Sequence, residues 1–255
     1  MRSMGVFGLG AFGQLLVRHL RPHFALSACD PAAHAHTFAA REGLDLVPAG
    51  VCARADYVVL AVPVLQIGPV ARAIAPHVRP GATIIDVASV KLGPAQQMAA
   101  ALPAHVRIVG THPLFGPQSA AQGIDGLKIA LCPVRGAGPG RLRRMQAFLQ
   151  EQLHLDAFIS DADSHDRDMA IVQGLTHLIA RVLDDMEPLP RRQTTLSFDY
   201  LLKAMELVRG DSEELFRAIE RENPYAAQVR QRFFTLTEAL RAALREQPAK
   251  DSPHD

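Results

Sequence analysis

Short β-rich apolar runs alternate with stretches of helical periodicity through residues 1–160, and that alternation leaves the chain few architectures. MGVFGL is followed by a helix to Arg21, FALSACD by a helix around His34 to Arg41, and DYVVLAV by a helix from Val64 to His77. ATIIDVAS precedes a helix from Gly93 to Leu102, and RIVGTHP comes next. Strands separated by helices pair in parallel through right-handed crossovers, so the pattern predicts a doubly wound α/β sheet. Lys128 to Val134 reads as a further strand, GAGPG as a turn, Arg141 to Leu153 as a helix and Ala157 to Ile159 as a last short strand.

Beyond Ser160 only helical segments follow, broken near PLPRR at 188–192, at Gly210, and at Asn223 and Pro224. The expected division is a dinucleotide-binding domain over 1–160, an all-helical domain over 161–246, and a frayed polar tail over 247–255. With 48% apolar and 21% charged residues the chain has material for buried cores. Its 27 basic residues nearly cancel 26 acidic ones, which argues against a nucleic-acid partner.

Cys29, Cys52 and Cys132 are widely spaced and cannot close an even set of disulfides, so a reducing cytoplasm is expected. The opening MRSMGVFGLGAFGQLL is apolar, but glycines interrupt it and no clean cleavage site follows, so export is not expected. No apolar run reaches the ~18 residues of a membrane span.

Gly8, Gly10 and Gly13 spell GxGxxG between the first strand and the first helix. There a tight turn lets backbone amides approach a pyrophosphate, the signature of a Rossmann-type, mostly parallel sheet. Leu9, Ala11 and Phe12 complete the expected cradle, with Val62 and Pro63 at the end of DYVVLAV. Asp30 ends the second strand, where a carboxylate accepts ribose hydroxyls and repels a 2′-phosphate. NAD is therefore the expected cofactor and NADP the runner-up.

Two later strands end in Asp86-Val87-Ala88-Ser89-Val90-Lys91 and in Gly110-Thr111-His112-Pro113-Leu114-Phe115-Gly116-Pro117. Both ends fall where open α/β sheets bind ligands. Ser89 also suits a helix N-cap, and Lys91 reads as an exposed lysine in a first helical turn. Gln173 and His177, four apart on a predicted helix, share a face, and Gly174 between them marks a close approach by substrate or nicotinamide. Asp161, His165 and Asp168 have helical spacing, but Asp161 reads as an N-cap and a metal site is not expected.

DVASVK followed by GTHPLFGP resembles the paired signature of the prephenate, arogenate and cyclohexadienyl dehydrogenases. His165-Asp166 and VQGLTH at 172–177 resemble that family's first long helix, so the likeness spans about residues 4–180 and weakens towards Ala226. The resemblance implies oxidative decarboxylation of a cyclohexadiene acid in tyrosine biosynthesis, with His112 as general base, and Ser89 bonded to the same hydroxyl or to His112. It also implies that His177 contacts substrate, that no metal takes part, and that the helical domain forms a homodimer.

No TxRIA-like stretch supplies the usual carboxylate-binding arginine, which leaves Lys203, Arg209 and Arg217 as candidates. Cys132 is aligned with an acidic residue of the plant-type branch, and its neutrality favours prephenate over arogenate. The competing readings are a β-hydroxyacid dehydrogenase or imine reductase, which lack GTHPLFGP in this form, and a silent NAD-sensing protein. Intact Ser89 and His112 speak against the last.

Overall fold

The structure, a computed structural model, describes residues 1–245; the tail expected over 247–255 lies outside the described residues. The first apolar run forms β1 (Ser3–Phe7), and the glycine loop leads into α1 (Ala11–Leu20). β2 (Ala25–Cys29) and α2 (Ala33–Glu42) follow, then β3 (Asp45–Leu46) and α3 (Ala49–Cys52), which periodicity did not announce. Elements of two and four residues hold too few apolar positions to show a period.

β4 (Tyr57–Leu60) leads through a 3₁₀ turn at Val64–Gln66 into α4 (Ile67–Ile74). β5 (Thr83–Asp86), α5 (Leu92–Ala101) and β6 (Arg107–Pro113) continue the alternation, and β7 (Lys128–Arg135), α6 (Pro139–Glu151) and β8 (Asp156–Ile159) end it. The eight strands form one sheet in the order β3-β2-β1-β4-β5-β6-β7-β8. All neighbours are parallel except β6 and β7, which pair antiparallel. The expected mostly parallel Rossmann-type sheet is present, and β1, between β2 and β4, marks the point where strand order reverses and a crevice opens.

Parallel sheets need cover on both faces. One face packs Val58, Leu60, Ile84 and Ile108 against α3, α4 and α5. The other packs Met4, Val6, Val59 and Ile129 with Val17, Leu20 and Phe38 of α1 and α2. Past the sheet the chain is helical: α7 (Ala162–Asp185), α8 (Leu196–Arg209), α9 (Glu213–Arg217), a π turn at Ala218–Glu222, and α10 (Ala226–Arg245). Asp161 caps α7, accepting from the Ser164 amide at 2.8 Å. His165, Asp166, Met169, Ala170, Gly174, His177 and Ala180 recur at three- and four-residue steps as its buried stripe. Among the described residues no helix is long and apolar enough to cross a membrane.

The glycine loop is built by exclusion of side chains. Gly8 has φ +94°, and a Cβ there would lie 2.3 Å from the Ala61 carbonyl oxygen. A Cβ on Gly13 would lie 2.1 Å from the Gly8 carbonyl oxygen, whereas one on Gly10 would meet nothing within 4 Å. Gly13→Ala is accordingly expected to destabilise the fold by ~1–3 kcal/mol through overpacking. Gly10→Ala should stay within ~1 kcal/mol of the parent. Urea unfolding of the two variants tests the contrast, and equal losses would contradict it.

Candidate active site

The carboxyl edge of the sheet and the helices after β8 enclose a cleft of about 550 Å³. The glycine loop from Gly10 to Gly13 lines one end, with Val62 and Pro63 beside it, and Ser89, His112, Gln173 and His177 line the middle. Leu9 turns a fully buried side chain into the core, while its amide donates to Asp30 Oδ2 at 2.6 Å. The other oxygen of Asp30 accepts from the Ala32 amide at 2.8 Å, which leaves lone pairs on both for a further partner. Asp30 itself borders an adjoining depression with Pro31, His36 and Pro48.

His112 ends β6, held in extended geometry ahead of Pro113, and is almost completely buried. Its Nδ1 lies 2.8 Å from His165 Nε2, and His165 Nδ1 lies 2.8 Å from Asp166 Oδ1. The Asp166 carboxylate also accepts the amides of Lys91 (2.7 Å) and Leu92 (2.9 Å) at the start of α5. Acceptance by Asp166 fixes the proton of His165 on Nδ1, so His165 Nε2 accepts from His112 Nδ1–H. The lone pair of His112 is thereby left on Nε2, where Gln173 Nε2 approaches at 3.4 Å. Burial, reinforced by His165 and Lys91, holds His112 well below the ordinary histidine value, so its neutral form prevails.

Beneath this chain Lys91 is buried, with Nζ donating to Asp86 Oδ2 and, at 2.7 Å, to the Thr111 carbonyl. The exposed lysine expected from sequence is thus a buried ion, because Lys91 is the N-cap of α5 and its side chain reaches Asp86 and the Thr111 carbonyl. Burial raises the Asp86 carboxyl, and Lys91 opposes that shift.

Ser89 is half-buried and lines the cleft with His112; of the two partners expected for it, His112 has Nδ1 taken by His165 and Nε2 approached by Gln173, which leaves the substrate hydroxyl. Nor is Ser89 the cap of α5, a position held by Lys91 and served by Asp166. His177 has Nδ1 2.9 Å from the Gln173 carbonyl and Nε2 3.1 Å from Asp211 Oδ2. Burial works against its charged form, but the bonds to Asp211 and Gln173 outweigh it and its pKa is raised.

Set beside known proteins, the chain matches the family model described as "Prephenate dehydrogenase, nucleotide-binding domain" over residues 28–153. It is 29% identical over 251 residues to "Arogenate dehydrogenase 2, chloroplastic" of Arabidopsis thaliana, covering 95% of this chain and 70% of that protein. A "Probable arogenate/prephenate dehydrogenase" of Methanocaldococcus jannaschii is 25% identical over 187 residues, covering 71% of this chain and 42% of its own length. These matches support the prephenate/arogenate dehydrogenase family for this chain.

Solved structures of the family share the fold. The prephenate dehydrogenase of A. aeolicus, in complex with hydroxyphenyl propionate and NAD+, superposes with a TM-score of 0.75 at 18% identity, covering 98% of this chain and 93% of that one. The Synechocystis arogenate dehydrogenase does so with 0.70 at 20% identity, covering 96% and 92%.

Several sequence expectations meet a different geometry in the structure. Gly174 faces the buried Glu220, whose Oε1 would lie 3.6 Å from an added Cβ, and it does not line the cleft. Cys132 sits inside β7 opposite Gly110, fully buried, with burial pushing its thiol up to about 12; it does not line the cleft. Arg209 is bound to Asp184 and Glu187, Arg217 to Glu213, and Lys203 lies over Tyr200, so none of the three cation candidates lines the cleft. Asp168 is exposed, and no cluster of metal-ligating residues occurs among the described residues.

His165, Asp166, Lys91 and Asp211 had no catalytic or charge role assigned from the sequence. The signal available was the helical stripe of α7, which places His165, Asp166, Gln173 and His177 on one side. Lys91→Met leaves Asp86 buried without its cation, and is expected to destabilise the protein by ~3–5 kcal/mol in urea unfolding. A loss below ~1 kcal/mol would mean that the pair carries no such burden.

Proposed function

We propose that the chain catalyses oxidative decarboxylation of a cyclohexadienyl acid of the prephenate/arogenate type, with hydride transfer to NAD. The observation that carries this reading is the orientation of His112: a neutral, buried imidazole with its accepting lone pair on Nε2 in the cleft, where Gln173 Nε2 approaches at 3.4 Å. The loop around Gly10 leaves room for a pyrophosphate, and Asp30 keeps acceptor capacity for ribose hydroxyls. Arg41, the nearest conspicuous cation along the chain, lies over Phe38 and beside Glu42, which supports NAD over NADP.

NAD, when bound, supplies the acceptor for the hydride on the substrate's ring C4. His112 Nε2 removes the C4 hydroxyl proton while that hydride departs, and a carbonyl forms. The C1 carboxylate bond then breaks, its electron pair enters the ring, and carbon dioxide leaves an aromatic product. The proton on His112 is available to return to the phenolate oxygen. Ser89 borders the same space and would hold the hydroxyl in line, with Gln173 and His177 closing the pocket opposite.

Within this class the lining favours the amino-bearing substrate. Among the described residues Asp211 and Glu214 line the cleft and no Lys or Arg does. Asp211 is engaged by His177, whereas Glu214 is exposed and enters no ion pair among the described residues. Glu214 is therefore the carboxylate offered to an ammonium, while His177 has both ring nitrogens engaged by the Gln173 carbonyl and Asp211. The preference for prephenate rested on Cys132, which lies outside the cleft; the name of the Arabidopsis relative also favours arogenate. A reducing cytoplasm and a single polar substrate remain the expected setting.

Wild type and His112→Asn compared on arogenate and prephenate, each with NAD and NADP, test the reading. Arogenate with NAD should be the best pair, and the substitution should lower turnover by ~10²-fold or more. Because His112 titrates below its ordinary value of ~6.5, kcat/KM should fall only as the pH drops beneath that value. Turnover unchanged in His112→Asn would remove the base from the mechanism.

We also infer a homodimer through the helices. Phe234, Leu236, Leu240 and Leu244 of α10 are exposed, as are Ile171, Val182 and Met186 along α7 and at its end. Light scattering at micromolar concentration should give twice the chain mass, and a monomeric mass would refute this.

A further inference from the structure

On the opposite face of the sheet from α4 and α5, between α1 and α6, lies a second cavity of about 460 Å³. It exists because α1 lies against β1 and α6 against β7 and β8, which leaves the centre of the sheet without a helix. The consequence is visible on β5: Ile84, facing α4 and α5, is fully buried, whereas Ile85 on the other side is not. A central strand of a parallel sheet is normally covered on both sides. Leu15, Leu16, Phe148 and Leu149 form the apolar walls.

The polar lining has one sign. Arg2, Arg141, Arg144, His19 and His23 border the cavity, and among the described residues no Asp or Glu does. Arg2 reaches Tyr57 Oη at 2.9 Å, and none of these arginines is in an ion pair with a carboxylate among the described residues. Burial, and repulsion from Arg107, Arg144 and Arg2, lower the Arg141 guanidinium. Cations gathered at an apolar cavity without an acid form a complement to an anion with an apolar body.

The far end of the cavity is the back of the catalytic cleft. Phe12, Val87, Pro113 and Phe115 line both spaces. Phe12 lies in the glycine loop and packs its ring 6.2 Å from that of Phe115, while Pro113 follows His112 directly. A molecule filling the rear cavity touches the loop expected to hold the cofactor without entering the cleft.

We propose that this rear cavity is an effector site for an amphipathic carboxylate, with the chain of a medium-length fatty acid between α1 and α6 and its head on Arg141 and Arg144. The proposal does not depend on the reaction argued above, because its readouts are ligand and cofactor binding. Calorimetric titration of the whole protein with decanoate, decanol and acetate, all below micelle formation, separates chain from head. Decanoate should bind saturably, decanol at least about tenfold more weakly, and acetate not at all.

Arg141→Glu should reduce decanoate to the level of decanol, Arg144→Glu should act in the same direction from an exposed position, and Leu149→Trp should fill the cavity and abolish both. Saturating decanoate should also change the affinity for NADH, read by its fluorescence, by about fivefold or more in wild type and not in Leu149→Trp. Absence of saturable decanoate binding overturns the proposal. So does binding that is indifferent to the head group and to both arginine substitutions, or an NADH affinity that does not move.

Discussion

The carboxylate of Asp166 ties three parts of the molecule together. It accepts two amides at the start of α5 and the ring of its neighbour His165, and the carbonyl of the same residue accepts from Asn223 Nδ2 at 2.7 Å. The sheet edge, the long helix and the approach to the last helix therefore meet at one fully buried acid. Such a group adds little net stability over a well-packed apolar side chain, but its donors tolerate only one arrangement of the elements carrying them. Its value here is geometric. The open amides of α5 also give it a field of the right sign, since a helix N-terminus favours an anion.

From that joint the orientation of the site follows in steps. His165 cannot rotate without abandoning Asp166, so its remaining nitrogen is committed to His112, and His112 in turn must show its lone pair to the cleft. Lys91 completes the arrangement from below: its amide binds Asp166 and its ammonium binds Asp86, so one residue joins two buried acids. Asp86 Oδ1 has no partner among the described residues, a sign that this interior is held for charge placement at some cost in unsatisfied polarity.

The fold was legible where a pattern repeats and the site where residues cluster in sequence. Strands of four or more residues and helices of eight or more announced themselves through alternation, and GxGxxG marked a turn where Gly8 and Gly13 leave no room for a side chain. β3 and α3 are too short to carry a period. His112 and Ser89 were found because one lies at the end of β6 and the other in the loop just past β5, at the same edge of the sheet. Asp166 was hidden, since an acid near the start of a helix is usually solvated, and nothing local says that its partners are the amides of residues 91 and 92. Lys91 was misread for the same reason: exposure of a lysine is the default until an acid such as Asp86 is seen to sit beneath it.

A base held well below its ordinary pKa looks poorly suited to deprotonating an alcohol, and the difficulty is resolved by timing. On the proposed reaction the hydroxyl proton is not acidic until the hydride begins to leave, at which point the oxygen is becoming a protonated carbonyl and its acidity rises by many orders of magnitude. A weak but neutral imidazole suffices for that late transfer, and it avoids the alternative of a histidine already protonated and unable to accept. Burial and the nearby Lys91 charge keep His112 empty, while the line through His165 to Asp166 provides a compensating negative end once the proton arrives. The same low-dielectric surroundings that depress the basicity thus suit it to a step in which proton and hydride depart together.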